Sequence, residues 1–323
     1  MAEYPEDLEV PFTRGDLSLL GVGWREVAGP LWRAPFRNVH VWSATDPDDP
    51  RQRALDAAAL LPEEGVIGGW AAAAIGNNGE LDGRGATGKE KQPVLLCLPR
   101  SLRIRRGSDV LPWRSHLDPD DVVVVDGVRV TPPVRTAFDI ARKGTLEEGV
   151  TAIDYLARGR PDFLDLLAGY ARAHPRLHGA RRVLGAVSLS SCQSRSAGET
   201  RFRLFWVRDA GLCRPEVNCV VRSEKGHILG MPDLLDEKHA LFGEYDGAGH
   251  REVVQHTQDN AREEWIEHAG SIVVRATGPD LGTYRRRTLA RLHAAHSRGR
   301  AQPLGSRNWT WEPGPMPGPT PHW

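Results

Sequence analysis

Apolar residues recur along this chain with two different periods, and the changes of period mark the predicted elements. Helical spacing predicts helices over 51–61, 66–75, 133–143, 146–158, 162–173 and 177–189. Short apolar or alternating runs predict strands over 94–99 and 102–106, and Asp126 and Gly127 supply the turn of a hairpin over 122–130. We therefore predict an α/β protein whose residues 51–190 form an α+β region.

A second mixed pattern begins after the serine-rich linker at 188–196. Residues 196–298 predict helix, strand, strand, strand, helix, strand and helix, an αβββαβ core followed by a last helix. The segments are 197–210, 217–221, 228–235, 241–245, 253–269 and 271–277, then the last helix. Because a helix crosses over between the last two strands, we expect those strands to pair in parallel.

This pattern places three acidic residues on one face of a predicted hairpin. If residues 238 and 239 form the centre of its loop, Asp233 lies directly opposite Glu244, and Asp246 shares the face of Glu244. Like charges about 5 Å apart repel unless a hard divalent cation lies between them. If the turn at 223–226 is symmetric, Glu216 also lies opposite Asp233 and adds to the acidic face. The alternative is an acidic sheet edge that favours solubility.

The acids and their spacing resemble a known nuclease fold. The residues that carry the likeness are Glu199, Pro232, Asp233, Glu244, Tyr245, Asp246, Gly247, His250, Asp259, Arg262, Gly270 and 273–275. Residues 196–298 thereby resemble the restriction-endonuclease-like PD-(D/E)xK fold, in the branch related to very-short-patch repair endonucleases. The resemblance implies Mg²⁺-dependent hydrolysis of a phosphodiester, in which the metal neutralises the phosphate and activates water.

The same resemblance implies a role for each acid. Asp233 and Glu244 are the expected metal ligands, and Glu199 is a third ligand or holds a metal-bound water. Asp246 stands where the family pattern has lysine, so His250 is the expected substitute for proton transfer. Simpler roles stay open. Glu199 fits a capping box with Ser196, and His250 fits a surface turn.

Outside that set, Asp259 and Arg262 have the i, i+3 spacing of an exposed ion pair, which we prefer to a DNA contact.

Residues 50–190 resemble the body of AbiEi-family antitoxins of type IV toxin–antitoxin systems. The matching segments are 68–73, 93–99 and 125–139. A winged helix is expected in front of that body. Residues 1–50 offer two short helical patterns and an extended segment with interleaved basic and aromatic residues, which we interpret as a degenerate winged-helix-like segment.

Composition narrows the class of protein. The 323 residues are 40% hydrophobic and 26% charged with a formal net charge of zero, which is typical of a globular protein without membrane contact. The four cysteines form no C-x-x-C pair, and the N-terminus has no signal-peptide pattern, so we expect a cytoplasmic protein. Residues 299–323 form a Pro/Gly-rich tail with three tryptophans, expected to be disordered or loosely docked, and a site for a protein partner.

These observations predict a metal-dependent DNA endonuclease or nickase whose front domains select the substrate. The alternative is a catalytically inactive nuclease-fold DNA-binding regulator of the antitoxin type. The absent lysine favours the regulator, and the retained acids favour the enzyme. A third interpretation, a protein-binding defence component, depends on the tryptophans of the tail.

Overall fold

A computed structural model describes residues 10–323 except 77–78, 86–89, 100, 106, 115, 248–269, 303–306 and 321–322. The described residues divide into two compact units. The first unit takes its residues from Met1–Ala152, Leu166–Val183 and Pro321–Trp323. The second takes its residues from Ile153–Asp165 and Leu184–Thr320.

Both units contain helices and strands, which is consistent with the α/β prediction. The helices are α1 Arg14–Leu19, α2 Trp24–Val27, α3 Pro50–Ala58, α4 Trp70–Ile75, α5 Pro133–Lys143, α6 Leu146–Ala157, α7 Asp162–Ala173, α8 Ala180–Leu189, α9 Ala197–Leu204, α10 Gly278–Leu281 and α11 Arg285–Ala301. The strands are β1 Phe12–Thr13, β2 Trp32–Phe36, β3 Val39–Trp42, β4 Val66–Gly68, β5 Val94–Leu98, β6 Val110–Arg114, β7 Val123–Val125, β8 Val128–Val130, β9 Glu216–Val217, β10 Val220–Ser223, β11 Ile228–Gly230, β12 Leu234–Asp236, β13 Leu241–Tyr245, β14 Ile272–Ala276 and β15 Trp309–Glu312.

The N-terminal segment folds as two short helices beside a small sheet. Thr13 and Asp16 form a capping box that starts α1, and the sheet has the order β1-β3-β2. Leu17 and Trp32 lie in its small buried cluster. The two helical patterns and the extended segment expected here are found, while the winged-helix interpretation stays a prediction.

The next sheet has the order β6-β5-β4-β8-β7 and corrects two predictions. Residues 66–75 are not one helix, because Gly69 adopts φ +62° and separates β4 from α4. The predicted strand 102–106 is absent over the described residues 102–105. Val110–Arg114 pairs in parallel with β5 instead, because its more apolar side chains gain more from the sheet position. The hairpin with Asp126 (φ +48°) and Gly127 (φ +77°) at its turn is confirmed.

Helix α5 carries a buried network of charges. Arg135 bonds Asp139 at 3.0 Å and Asp121 at 2.6 Å, and Arg142 reaches the other oxygen of Asp139 at 2.6 Å. The hydroxyl of Tyr170 donates to Asp121 at 2.8 Å. Arg135 is 1% exposed and Asp139 is fully buried, so each charge depends on its partners. Both residues lie in α5, where they contribute to the packing of the first unit.

The second unit holds two sheets where the sequence predicted one. The first has the order β14-β13-β12-β9, and β13 pairs in parallel with β14 as expected. The second has the order β11-β10-β15. The predicted strands 217–221 and 228–235 are each interrupted. Asn218 adopts φ +50° between β9 and β10, and Pro232, which has no N–H, lies between β11 and β12.

The C-terminal tail contributes a strand to the second unit, contrary to the expectation of disorder. Residues of β15 pair antiparallel with β10, and Trp309 is 8% exposed in a cluster with Phe242. Further along, the hydroxyl of Thr320 donates to the carbonyl of Tyr155 at 2.6 Å. The hydrophobic periodicity did not predict β15, because its partner strand lies almost 90 residues earlier in the chain.

Candidate acidic site on the hairpin of strands β12 and β13

The two expected metal ligands lie beside the β12–β13 pairing. Strand β12 pairs with β13 in the register Leu234↔Gly243, Leu235↔Phe242 and Asp236↔Leu241. Glu244 is in β13, whereas Asp233 is the residue before β12 and lies outside the pairing; continuing the register by one residue brings it level with Glu244. The backbone N–H of Tyr245 donates to Oδ2 of Asp233 at 2.6 Å, which holds the aspartate against the end of β13.

Strand alternation assigns both acid positions to the same face of the sheet. Leu234 and Leu241 pack with Trp206 on one face, whereas Leu235 and Phe242 pack with Trp309 on the other. Side chains alternate along a strand, so Glu244 lies on the second face, and the same alternation carried one residue beyond β12 assigns Asp233 to it. Each side chain is half-buried. Carboxylate oxygens in this arrangement are ligands that suit a hard divalent cation.

A cation from the protein already contacts Glu244. Glu244 pairs with Arg275 across the parallel strands, and Nε of Arg275 donates to Oε2 of Glu244 at 3.0 Å. The side chains are 44% exposed for the arginine and 20% exposed for the glutamate. A divalent ion bound to Glu244 would therefore share the carboxylate with the positive charge of Arg275.

Glu199 is held in a different set of contacts. Its carboxylate accepts hydrogen bonds from the N–H of Arg195 at 2.9 Å, the hydroxyl of Ser196 at 3.1 Å and Nδ2 of Asn218 at 2.7 Å. Ser196 caps α9 by accepting the N–H of Glu199 at 3.2 Å, but the expected capping box is only half formed, because the Glu199 carboxylate accepts the N–H of Arg195 and not that of Ser196. Glu199 is 8% exposed. The N–H of Asn218 also donates to the carbonyl of Asp233 at 3.1 Å, so Asn218 connects the glutamate to the hairpin.

The other residues predicted for the site do not join Asp233 and Glu244 among the described residues. Asp246 is exposed at the end of β13, where its N–H donates to the carbonyl of Ala276 at 2.9 Å. His250, Asp259 and Arg262 lie outside the described residues. Glu216 is not opposite Asp233, since it pairs with Leu235. The interruption at Asn218 shifts the register and sets Asn218 beside Asp233.

Sequence reasoning missed a second group of polar residues at the loop end of the hairpin. Among the described residues, one set of three or more His, Cys, Asp or Glu has its ligand atoms within 4.8 Å of one another, and it consists of Asp236, His239 and His296. Glu199, Asp233 and Glu244 do not form such a set. Asp236 and His239 lie in the polar tip of the hairpin, residues 236–239, which the sequence shows directly. His296 lies 57 positions further on, and nothing in the local pattern connects it to them.

Comparisons with known proteins do not assign a family to this chain. Comparison of the chain with protein-family models, curated proteins and solved structures finds no match. Across the part of the chain that the structure describes, no helix is long and apolar enough to span a membrane. The assignment of a function therefore depends on the site geometry and on the charges around it.

Helix α11 is strongly basic and largely faces solvent. Its sequence contains six arginines and no acidic residue. All six are exposed: Arg285, Arg286, Arg287, Arg291, Arg298 and Arg300. Two of them pair with nearby acids, Arg285 with Asp209 and Arg291 with Asp280. Arg291 also donates to the carbonyl of Arg275 at 2.8 Å, which brings this helix to the edge of β14.

Proposed function

We propose that the second unit is a metal-dependent DNA endonuclease or nickase with its metal site at Asp233 and Glu244. The observation that supports the proposal is the β12–β13 register, which, continued by one residue, brings Asp233 level with Glu244. Two carboxylates at such positions repel each other, and a shared divalent cation relieves that repulsion.

The metal, when bound, supplies charge neutralisation for the phosphate and a water of lowered pKa. Asp233 and Glu244 hold it through carboxylate oxygens, and Mg²⁺ is the ion that this donor chemistry favours. Glu199 acts indirectly, because it positions Asn218, which in turn holds the backbone of Asp233. His250 remains the proposed proton-transfer residue.

The basic groups around the sheet edge support a nucleic-acid substrate. Arg275 lies beside Glu244, and Arg291 connects the exposed arginines of α11 to the same edge. Guanidinium groups bind phosphate oxygens in a bidentate manner, and a row of them is attracted to a nucleic-acid backbone at any sequence.

A nicking assay tests the enzyme proposal. Supercoiled plasmid is incubated with the full chain in Mg²⁺ or Mn²⁺, next to the variants Asp233→Asn and Glu244→Gln. We expect each variant to lose activity by about 100-fold or more, since each removes a charge from the metal site. Glu224→Gln is the matched control, because Glu224 is an exposed acid in the turn before β11 and should leave nicking unchanged. Equal activity in all four proteins would refute the site.

A second candidate function is a noncatalytic DNA-binding regulator on the same fold. The Arg275 contact favours it, because an arginine paired with Glu244 satisfies that charge without a metal. The presence of Asp246 in place of a lysine favours it as well. In the same assay this alternative predicts no nicking by the parent protein, together with duplex binding that survives both Asp233→Asn and Glu244→Gln.

A further inference from the structure

Three potential ligands converge where the hairpin meets helix α11. Asp236 ends β12, His239 lies in the 3₁₀ turn that follows, and His296 comes from α11. Oδ2 of Asp236 is 2.7 Å from Nδ1 of His239, and the rings of His239 and His296 have centroids 4.1 Å apart. One ligand atom from each residue lies within 4.8 Å of the other two.

We propose that Asp236, His239 and His296 bind one transition-metal ion of the Zn²⁺ type. Zinc bound tetrahedrally at 2.0–2.2 Å from nitrogen and oxygen ligands requires ligand atoms about 3.4 Å apart, so the three groups need small adjustments. Two imidazoles and one carboxylate suit Zn²⁺, Co²⁺ or Ni²⁺, whereas Mg²⁺ prefers oxygen ligands. This site is separate from the Asp233 and Glu244 pair and does not depend on the nuclease proposal.

The ligands are held in position by the surrounding backbone. Oδ1 of Asp236 accepts the N–H of His239 at 3.2 Å, and Ala240 adopts φ +48° to end the turn. Gly299 lets α11 approach closely, since a Cβ at that position would lie 2.0 Å from the carbonyl oxygen of His239. Ligands that are fixed before the metal arrives lose less conformational freedom on binding.

The exposure of the three residues also suits a metal. Asp236 is 6% exposed and His239 is 8% exposed, while His296 is partly exposed and offers an entry path.

Calorimetric titration of the full chain, stripped with a chelator, tests the site with ZnCl₂ and separately with MgCl₂. We expect a high-affinity zinc site that Mg²⁺ does not fill, and at least a tenfold loss of zinc affinity at that site in His296→Gln. His227→Gln is the matched control, because His227 is an exposed histidine in the turn between β10 and β11. Absence of zinc binding by the parent chain, or unchanged affinity in His296→Gln, would overturn the proposal.

A second variant distinguishes the loss of a metal ligand from the loss of folding. His296→Cys keeps a zinc ligand at the same position, and with Co²⁺ it should add a thiolate-to-cobalt absorption band that the parent lacks. The parent and His227→Gln should show the visible bands of tetrahedral Co²⁺ without it. A folded His296→Cys protein with the parent spectrum would contradict ligation by residue 296.

Discussion

Arg275 and Glu244 form an ion pair across the parallel strands β13 and β14, with Nε 3.0 Å from Oε2. The pair brings a permanent positive charge to the glutamate that the nuclease proposal assigns to a metal. The same guanidinium group is a phosphate-binding group. If the proposed function holds, the arginine would have opposite effects on the binding of a cation and on the binding of DNA.

Replacing Arg275 by glutamine should separate those two effects. A partly exposed ion pair contributes about 0.2–1 kcal/mol, so we expect Mn²⁺ affinity at the acidic site to rise by about threefold. Duplex affinity should fall. The number of phosphate contacts calculated from the salt dependence of that affinity should decrease by about one. Calorimetry and fluorescence anisotropy at several salt concentrations measure the two changes. Unchanged metal affinity would mean that the arginine does not compete with the ion.

The contact between Glu199 and Asn218 should matter for stability more than for metal affinity. Glu199→Ala removes the acceptor for three hydrogen bonds at the start of α9, so we expect a loss of about 1–2 kcal/mol in the free energy of unfolding. Asn218→Ala should cost a similar amount. Urea unfolding measures both variants. If Glu199→Ala instead retains stability and abolishes metal binding, Glu199 is a ligand.

The charge network of α5 should be essential for the first unit. Asp139→Asn leaves Arg135 and Arg142 buried without their shared carboxylate, and we expect a loss of about 3 kcal/mol. Asp126→Asn is the control, because Asp126 pairs with Arg51 through a side chain that is 62% exposed. That control should change the unfolding free energy by less than about 0.5 kcal/mol. Equal effects would show that burial of the network is unimportant.

Lys143 should make the stability of the first unit depend on pH. Burial lowers its pKa from 10.5 to about 7, partly opposed by Asp139. Its Nζ lies 2.9 Å from the centre of the Trp113 ring, and no described residue accepts a hydrogen bond from it.

The direction of that dependence follows from the lowered pKa. Between pH 7 and 10.5 the unfolded chain binds more protons at this lysine than the folded chain does, so its contribution to the unfolding free energy rises with pH. Below pH 7 Lys143 is charged in both the folded and the unfolded chain, so the folded chain bears the full free-energy cost of burying that charge. We expect Lys143→Met to be more stable than the parent at pH 6 and to lose that advantage by pH 10. Urea unfolding across this range measures the difference between the two proteins, and a constant difference would contradict the assignment.

Local patterns were enough to predict the hairpin of the candidate site. Its register follows from the polar tip at 236–239, which lies between the apolar pairs 234–235 and 241–242. Apolar spacing predicts helices α5 to α8 in the same way. The split of the predicted strands at Asn218 and Pro232 was missed, because an apolar run does not reveal which of two sheets it joins. The convergence of His296 with Asp236 was missed because only the packing of α11 on the hairpin brings them together.

The pairing of β15 with β10 sets the C-terminal limit of an isolated fragment of the second unit. A fragment that ends at residue 298, where the sequence patterns suggested a boundary, would remove Trp309 and leave the backbone of β10 with an unpaired edge. Exposed edges of that kind recruit strands from other molecules. Fragments that extend through residue 320 should stay monodisperse, whereas the shorter ones should self-associate.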